Sequence, residues 1–225
     1  MLTEIRPPDG GLIYTETDLH HLFPEPFNMV SSALFLIPGI YWLIKVKGFS
    51  RQYAFLSVAT WLLLIGCIGS TTYHGLRRWP VFIMMDWVPI AILCLISSVY
   101  FWIKFSERNY IGAIALLVFL GLTFGIRRFL PKYDIQLMIS LNYTIMVLMI
   151  VLPLMLLLWK MRWHNSWLVF CALASFGLAI GFRVYDKYTP LSIGTHFLWH
   201  TFGAIATSLM FVFIYRVSRL QPHTT

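Results

Sequence analysis

The sequence predicts an all-α integral membrane protein: a single domain of seven transmembrane helices. Three observations predict it. Of 225 residues, 59% are apolar and 12% charged, and mean hydropathy is +0.74; an average soluble domain is about 25% charged. Apolar runs recur seven times, each close to the roughly 20 residues that carry a helix across about 30 Å of hydrocarbon. Lys and Arg fall in ones, twos and threes between the runs. A soluble fold of this size has too little interior for so much apolar surface. An ordinary cytosolic enzyme, a disordered chain and a disulfide-stapled secreted module are thereby excluded.

Residues 1–24 carry Glu4, Asp9, Glu16 and Asp18 and no central apolar stretch, so no signal peptide is expected. Pro7, Pro8, Gly10 and Gly11 make this segment a loop. The spans are expected at 27–44, 53–75, 80–103, 109–126, 136–159, 166–182 and 191–215. Basic residues punctuate them: Lys45, Lys47 and Arg51; Arg77 and Arg78; Lys104 and Arg108; Arg127, Arg128 and Lys132; Lys160 and Arg162; Arg183 and Lys187; Arg216 and Arg219. Trp79, Trp163, Tyr110 and Tyr188 stand at run ends, where amphipathic rings anchor at the headgroups. Cys67, Cys94 and Cys171 lie inside apolar runs; an odd, spaced set is no disulfide framework, and they read as small core residues.

The net charge of +8 is spread over loops facing phospholipid, with no basic patch of the kind nucleic acid needs. With the N-terminus outside, cytoplasmic segments hold nine of the 17 Lys and Arg and the others eight. The basic tally is therefore nearly even, and the four N-terminal acids tip the expectation to N-outside.

Ionisable groups inside a span are costly and point to function. Span 2 has His74, with Ser70 one turn earlier; span 3 has Asp86; span 7 has His196 and His200; Glu25 and Asn28 mark the start of span 1. Span 5 has the neutral Asn142. Because spans alternate direction, Glu25, Asn28, Ser70, His74, Asp86, His196 and His200 all fall on the N-terminal side, in one leaflet. At about 1.5 Å per residue, His196 is expected roughly 8 Å and His200 roughly 14 Å below the start of span 7.

His196 and His200 at i and i+4 share one helix face, a spacing that grips a metal ion. With His74 as third ligand, the set is that of a catalytic zinc, which keeps one position open. Zinc lowers the pKa of its water to about 7. Asp86 is the acid placed to take that proton and pass it to a leaving amine, with pairing to Arg77 or Arg78 as its structural alternative. Ser70 either donates to a developing oxyanion or packs beside Gly66 and Gly69. Glu25 and Asn28 read as a helix cap or part of the site; His20, His21, His164 and His223 read as solvated.

Ser70-Thr-Thr-Tyr-His74, Asp86 and His196-x-x-x-His200 on spans 2, 3 and 7 resemble the superfamily that unites alkaline ceramidases, progestin/adiponectin receptors and GPI-remodelling membrane proteins. The stretch Glu25-Pro-Phe-Asn28-Met-Val-Ser31-Ser32 is similar to the ceramidase version. The resemblance implies that His74, His196 and His200 hold one zinc ion and that Ser70 and Asp86 work beside it. The implied reaction takes ceramide and water to a fatty acid and a sphingoid base. Animal members carry an acidic, tryptophan-containing calcium site before span 1; here the stretch reads Glu16-Thr-Asp18-Leu-His20-His21, without Trp and with different spacing. Calcium regulation is therefore not expected. Glu25, Asn28 and Asp18 remain as a second metal or structural cluster. The short loops look like a compact bacterial member, which favours a bacterial inner membrane, with the ER or Golgi as the alternative for a eukaryotic chain. Its metal site is then on the extracytoplasmic side, its partners are the bilayer and a ceramide-like lipid, and no obligate protein partner is implied.

Two other functions stay open: a hydrolase of another membrane lipid, such as a phospholipid or GPI acyl ester, and a receptor-like lipid-binding protein. A retinal-type pump needs a Schiff-base lysine in the last span, and 191–215 contains none.

Overall fold

The computed structural model describes residues 7–129 and 135–220, leaving aside the side chains at 127, 129, 135–140, 142, 143 and 220. Lys132 and the side chains of Arg127 and Asn142 therefore lie outside the described residues. The helices are α1 (Pro26–Ser32), α2 (Leu36–Lys45), α3 (Ala54–Leu76), α4 (Pro80–Ser106), α5 (Asn109–Phe129), α6 (Ile135–Lys160), α7 (Ser166–Tyr185) and α8 (His196–Leu220). Among the described residues, six stretches are long and apolar enough to cross a membrane: Pro26–Lys45, Arg51–Leu76, Pro80–Ser106, Asn109–Ile126, Ser166–Tyr188 and His196–Arg219. This is the make-up of a multi-pass membrane protein. Trp79, Tyr110, Trp163 and Tyr188 are exposed near helix ends.

The last expected span is displaced. The sequence placed it at 191–215, whereas α8 runs from His196 to Leu220. Pro190 and the positive φ of Gly194 (+68°) keep 189–195 in turns, and the helix begins only where a carboxylate receives its first N–H groups. His196 therefore opens the helix instead of lying 8 Å inside it, and His200 is one turn down.

By packing, the chain divides into two units, Met1–Ile90 with Trp167–Thr225, and Ala91–Ser166. In the first, α1 and α2 lie on α3, and α1 also lies on α8. In the second, α5 lies on α6. Cys67 is buried, Cys94 half-buried and Cys171 exposed on α7, so the reading of all three as core residues holds fully only for Cys67.

Three prolines explain local departures, because proline removes the bond to the carbonyl four residues earlier. Pro38 frees Leu34, and the chain tightens there into a 3₁₀ turn, Ala33–Phe35, joining α1 to α2. Pro153 in α6 frees the Met149 carbonyl, to which Ser98 Oγ donates at 2.6 Å within the second unit. Pro89 in α4 frees the Met85 carbonyl, and this lies so close to Gly69 of α3 that a Cβ there would collide with it. The residues that follow this contact are Ser70 and Asp86.

Candidate metal centre

The site is assembled within the first unit from the ends of three helices and the strap before α1. α3 ends at Arg77, which takes left-handed geometry (φ 48°, ψ 35°). That costly backbone for a non-glycine residue turns a fully buried guanidinium onto two buried carboxylates. Its Nε donates to Asp9 Oδ2 at 2.6 Å, Nη1 donates to Glu25 Oε1, and Nη2 donates to the Leu12 carbonyl at 2.9 Å. Burial opposes the Arg77 charge, but Asp9 and Glu25 outweigh it and hold the guanidinium above its ordinary pKa. Arg77 is thus committed to Asp9 and Glu25, which removes it as a structural partner for Asp86.

Glu25 connects this ion pair to His74. Its Oε2 is 2.5 Å from His74 Nδ1, and Oε1 also accepts from Thr17 Oγ1 at 2.6 Å. Burial would raise the carboxyl, but the His74, Arg77 and Thr17 contacts bring it below the usual range. Asn28 Nδ2 donates to Oε2 at 3.3 Å. With its oxygens engaged in this way, Glu25 serves as the backing of His74. Asp18 is elsewhere: it is exposed, and its carboxylate accepts the His20 N–H at 2.9 Å and faces His21 at 3.3 Å. The structure thus brings Glu25 and Asn28 to the centre and leaves Asp18 out.

His74, His196 and His200 are 1%, 2% and 4% exposed. Each offers one ring nitrogen, and the three atoms lie within 4.8 Å of one another. His200 Nδ1 is 2.9 Å from Ser31 Oγ and 3.2 Å from Ser32 Oγ. Both hydroxyls donate to the Asn28 carbonyl, so their lone pairs receive an Nδ1–H from His200 and Nε2 keeps its lone pair for the centre. His74 is backed in the same way by a carboxylate. Hydrogen bonding at the far nitrogen fixes the ring and raises ligand basicity. His196 differs: its buried Nδ1 has no hydrogen-bond partner among the described residues, and Tyr14 stacks on its ring with centroids 3.8 Å apart at 22°. All-nitrogen ligation in a buried pocket fits a transition-metal ion.

Ser70 is buried, and its Oγ shares a 3.0 Å hydrogen bond with Ser32 Oγ. It thereby joins the chain that ends on His200, which packing beside Gly66 and Gly69 alone would not require. Asp86 is half-buried and, among the described residues, makes no hydrogen bond or ion pair.

The roles of four residues, Asp186, Ser31, Ser32 and Tyr14, were not legible in the sequence. Asp186 Oδ1 accepts the N–H groups of Thr195 (2.6 Å) and His196 (2.9 Å), while Oδ2 accepts the Thr15 N–H at 2.9 Å. It caps α8 from ten residues upstream and ties the strap to it. Ser31 and Ser32 back His200, and Tyr14 covers His196. The available signal was the pair of adjacent hydroxyls one turn after Asn28, and an acid shortly before the Gly194 turn. Comparison with protein-family models and with curated proteins finds no match.

Proposed function

We propose that the chain is a zinc-dependent intramembrane amidase of seven spans. It hydrolyses the amide of a ceramide-like lipid to a fatty acid and a sphingoid base. The observation that carries this reading is the buried histidine triad, with two rings oriented from behind and an uncommitted carboxylate one residue after the Met85 carbonyl that meets Gly69.

His74, His196 and His200 hold one zinc ion on the extracytoplasmic side. Bound there, zinc supplies Lewis-acid polarisation and makes water acidic near neutral pH. Glu25 and the Ser31–Ser32 pair hold two of the rings. Asp86 takes a proton as water oxygen adds to the amide carbonyl carbon, and returns it to the nitrogen as the C–N bond breaks. Ser70 braces the Ser32–His200 chain. The α6 helix, Ile135–Lys160, supplies the seventh span.

The test is zinc content by elemental mass spectrometry together with release of fatty acid from ceramide in detergent. Wild type is expected to hold about one zinc per chain and to hydrolyse ceramide. His196→Ala is expected to lose both, and Asp86→Asn to keep zinc and lose most turnover. A folded wild type that takes up no transition metal refutes the reading; zinc with hydrolysis of an ester lipid alone replaces the substrate.

A further inference from the structure

The strap before α1 is fastened on either side of Tyr14. Arg77 holds the Leu12 carbonyl, and Asp186 holds Thr15 through both its N–H and its hydroxyl, which donates to the Asp186 carbonyl at 2.5 Å. Tyr14 itself turns with Thr17: its N–H donates to Thr17 Oγ1 at 2.9 Å, and its carbonyl accepts the Thr17 N–H at 3.0 Å. The ring is thus set over the histidines, stacked on His196 and 5.6 Å from His74 between centroids.

Its hydroxyl is unspent. Among the described residues nothing hydrogen-bonds it, and the side chain is only half-buried. The serine hydroxyls near the triad are already engaged: Ser31 and Ser32 donate to the Asn28 carbonyl, and Ser70 pairs with Ser32. A site that builds charge on a carbonyl oxygen gains from a fixed donor, and Tyr14 is a held ring with a donor to give.

Resting on the amidase reading, we propose that Tyr14 is a further catalytic residue. Its phenol donates a hydrogen bond to the carbonyl oxygen of the lipid amide as that oxygen gains negative charge, and to the carboxylate of the fatty-acid product. Tyr14→Phe isolates this role, because it keeps the ring stacked on His196 and removes only the donor.

The experiment compares wild type with Tyr14→Phe and Tyr14→Leu in three measurements: zinc content, kcat and KM on ceramide, and palmitate affinity by titration in detergent. Tyr14→Phe is expected to keep its zinc and its KM, to lose roughly 100-fold in kcat, and to bind palmitate about tenfold more weakly. Wild-type kcat and palmitate affinity in Tyr14→Phe, with a defect only in Tyr14→Leu, make Tyr14 a packing lid and overturn the proposal while leaving the amidase intact. If wild type hydrolyses no lipid amide, the amidase reading falls. A tenfold loss of palmitate affinity in Tyr14→Phe then still supports the donor, and an unchanged affinity overturns it.

Discussion

Asp186 fixes His196 by its main chain: the carboxylate accepts the His196 N–H at 2.9 Å and the Thr15 N–H with its other oxygen. Asp186→Ala should cost about 1–2 kcal/mol, as lost helix caps do, and weaken zinc binding roughly tenfold. Asp186→Asn keeps an acceptor for α8 and should retain most of the affinity. Chelator competition on both variants checks this; equal losses would mean that the charge matters, not the cap.

The hydroxyl pair behind His200 should tune the metal more than the rate. Replacing both Ser31 and Ser32 by Ala strips His200 Nδ1 of its partners and is expected to lower zinc affinity about 10–100-fold. Ser70→Ala, one bond further away, should leave zinc in place and slow turnover. Zinc titration with single-turnover rates separates the two.

Arg77 balances two carboxylates inside the protein. Arg77→Met leaves Asp9 and Glu25 buried without their counter-charge, which should destabilise the fold by about 3–5 kcal/mol. Denaturant unfolding in detergent reads this directly. Adding Asp9→Asn should recover part of the loss.

Glu16 caps α1 from a distance, accepting the N–H groups of Phe27 and Asn28. Burial raises its pKa, and those two bonds offset it only in part. A carboxyl raised in the folded state binds a proton on folding, so stability should rise as pH falls from the raised value toward the ordinary one. Glu16→Gln should flatten that slope. Thermal unfolding of both proteins between about pH 4 and 7 measures it.

The triad was legible because helical spacing and span direction are both written in the chain. His196 and His200 are four apart, and alternation carried His74 to the same end. Asp86 and Ser70 were legible as polar residues in apolar runs. Asp186, Thr15 and Tyr14 were not, since they lie between spans, where a polar residue is ordinary and its partner is set by a turn. The five-residue shift of α8 has the same origin: residues 191–195 are apolar enough to continue a span, and only the Gly194 turn and the Asp186 cap forbid it. Arg77 looked like loop punctuation because its role depends on a left-handed backbone.

Among the described residues, the buried charges around the triad are Asp9, Glu25, Asp186 and Arg77. Three carboxylates against one guanidinium leave an excess of two negative charges on buried side chains, where uncompensated charge is expensive. Histidines that ligate a metal are neutral and add nothing to that count. At the proposed centre a divalent cation would bring these charges to neutrality, whereas a monovalent or trivalent one would not. Selection by valence would then come from residues that never touch the ion.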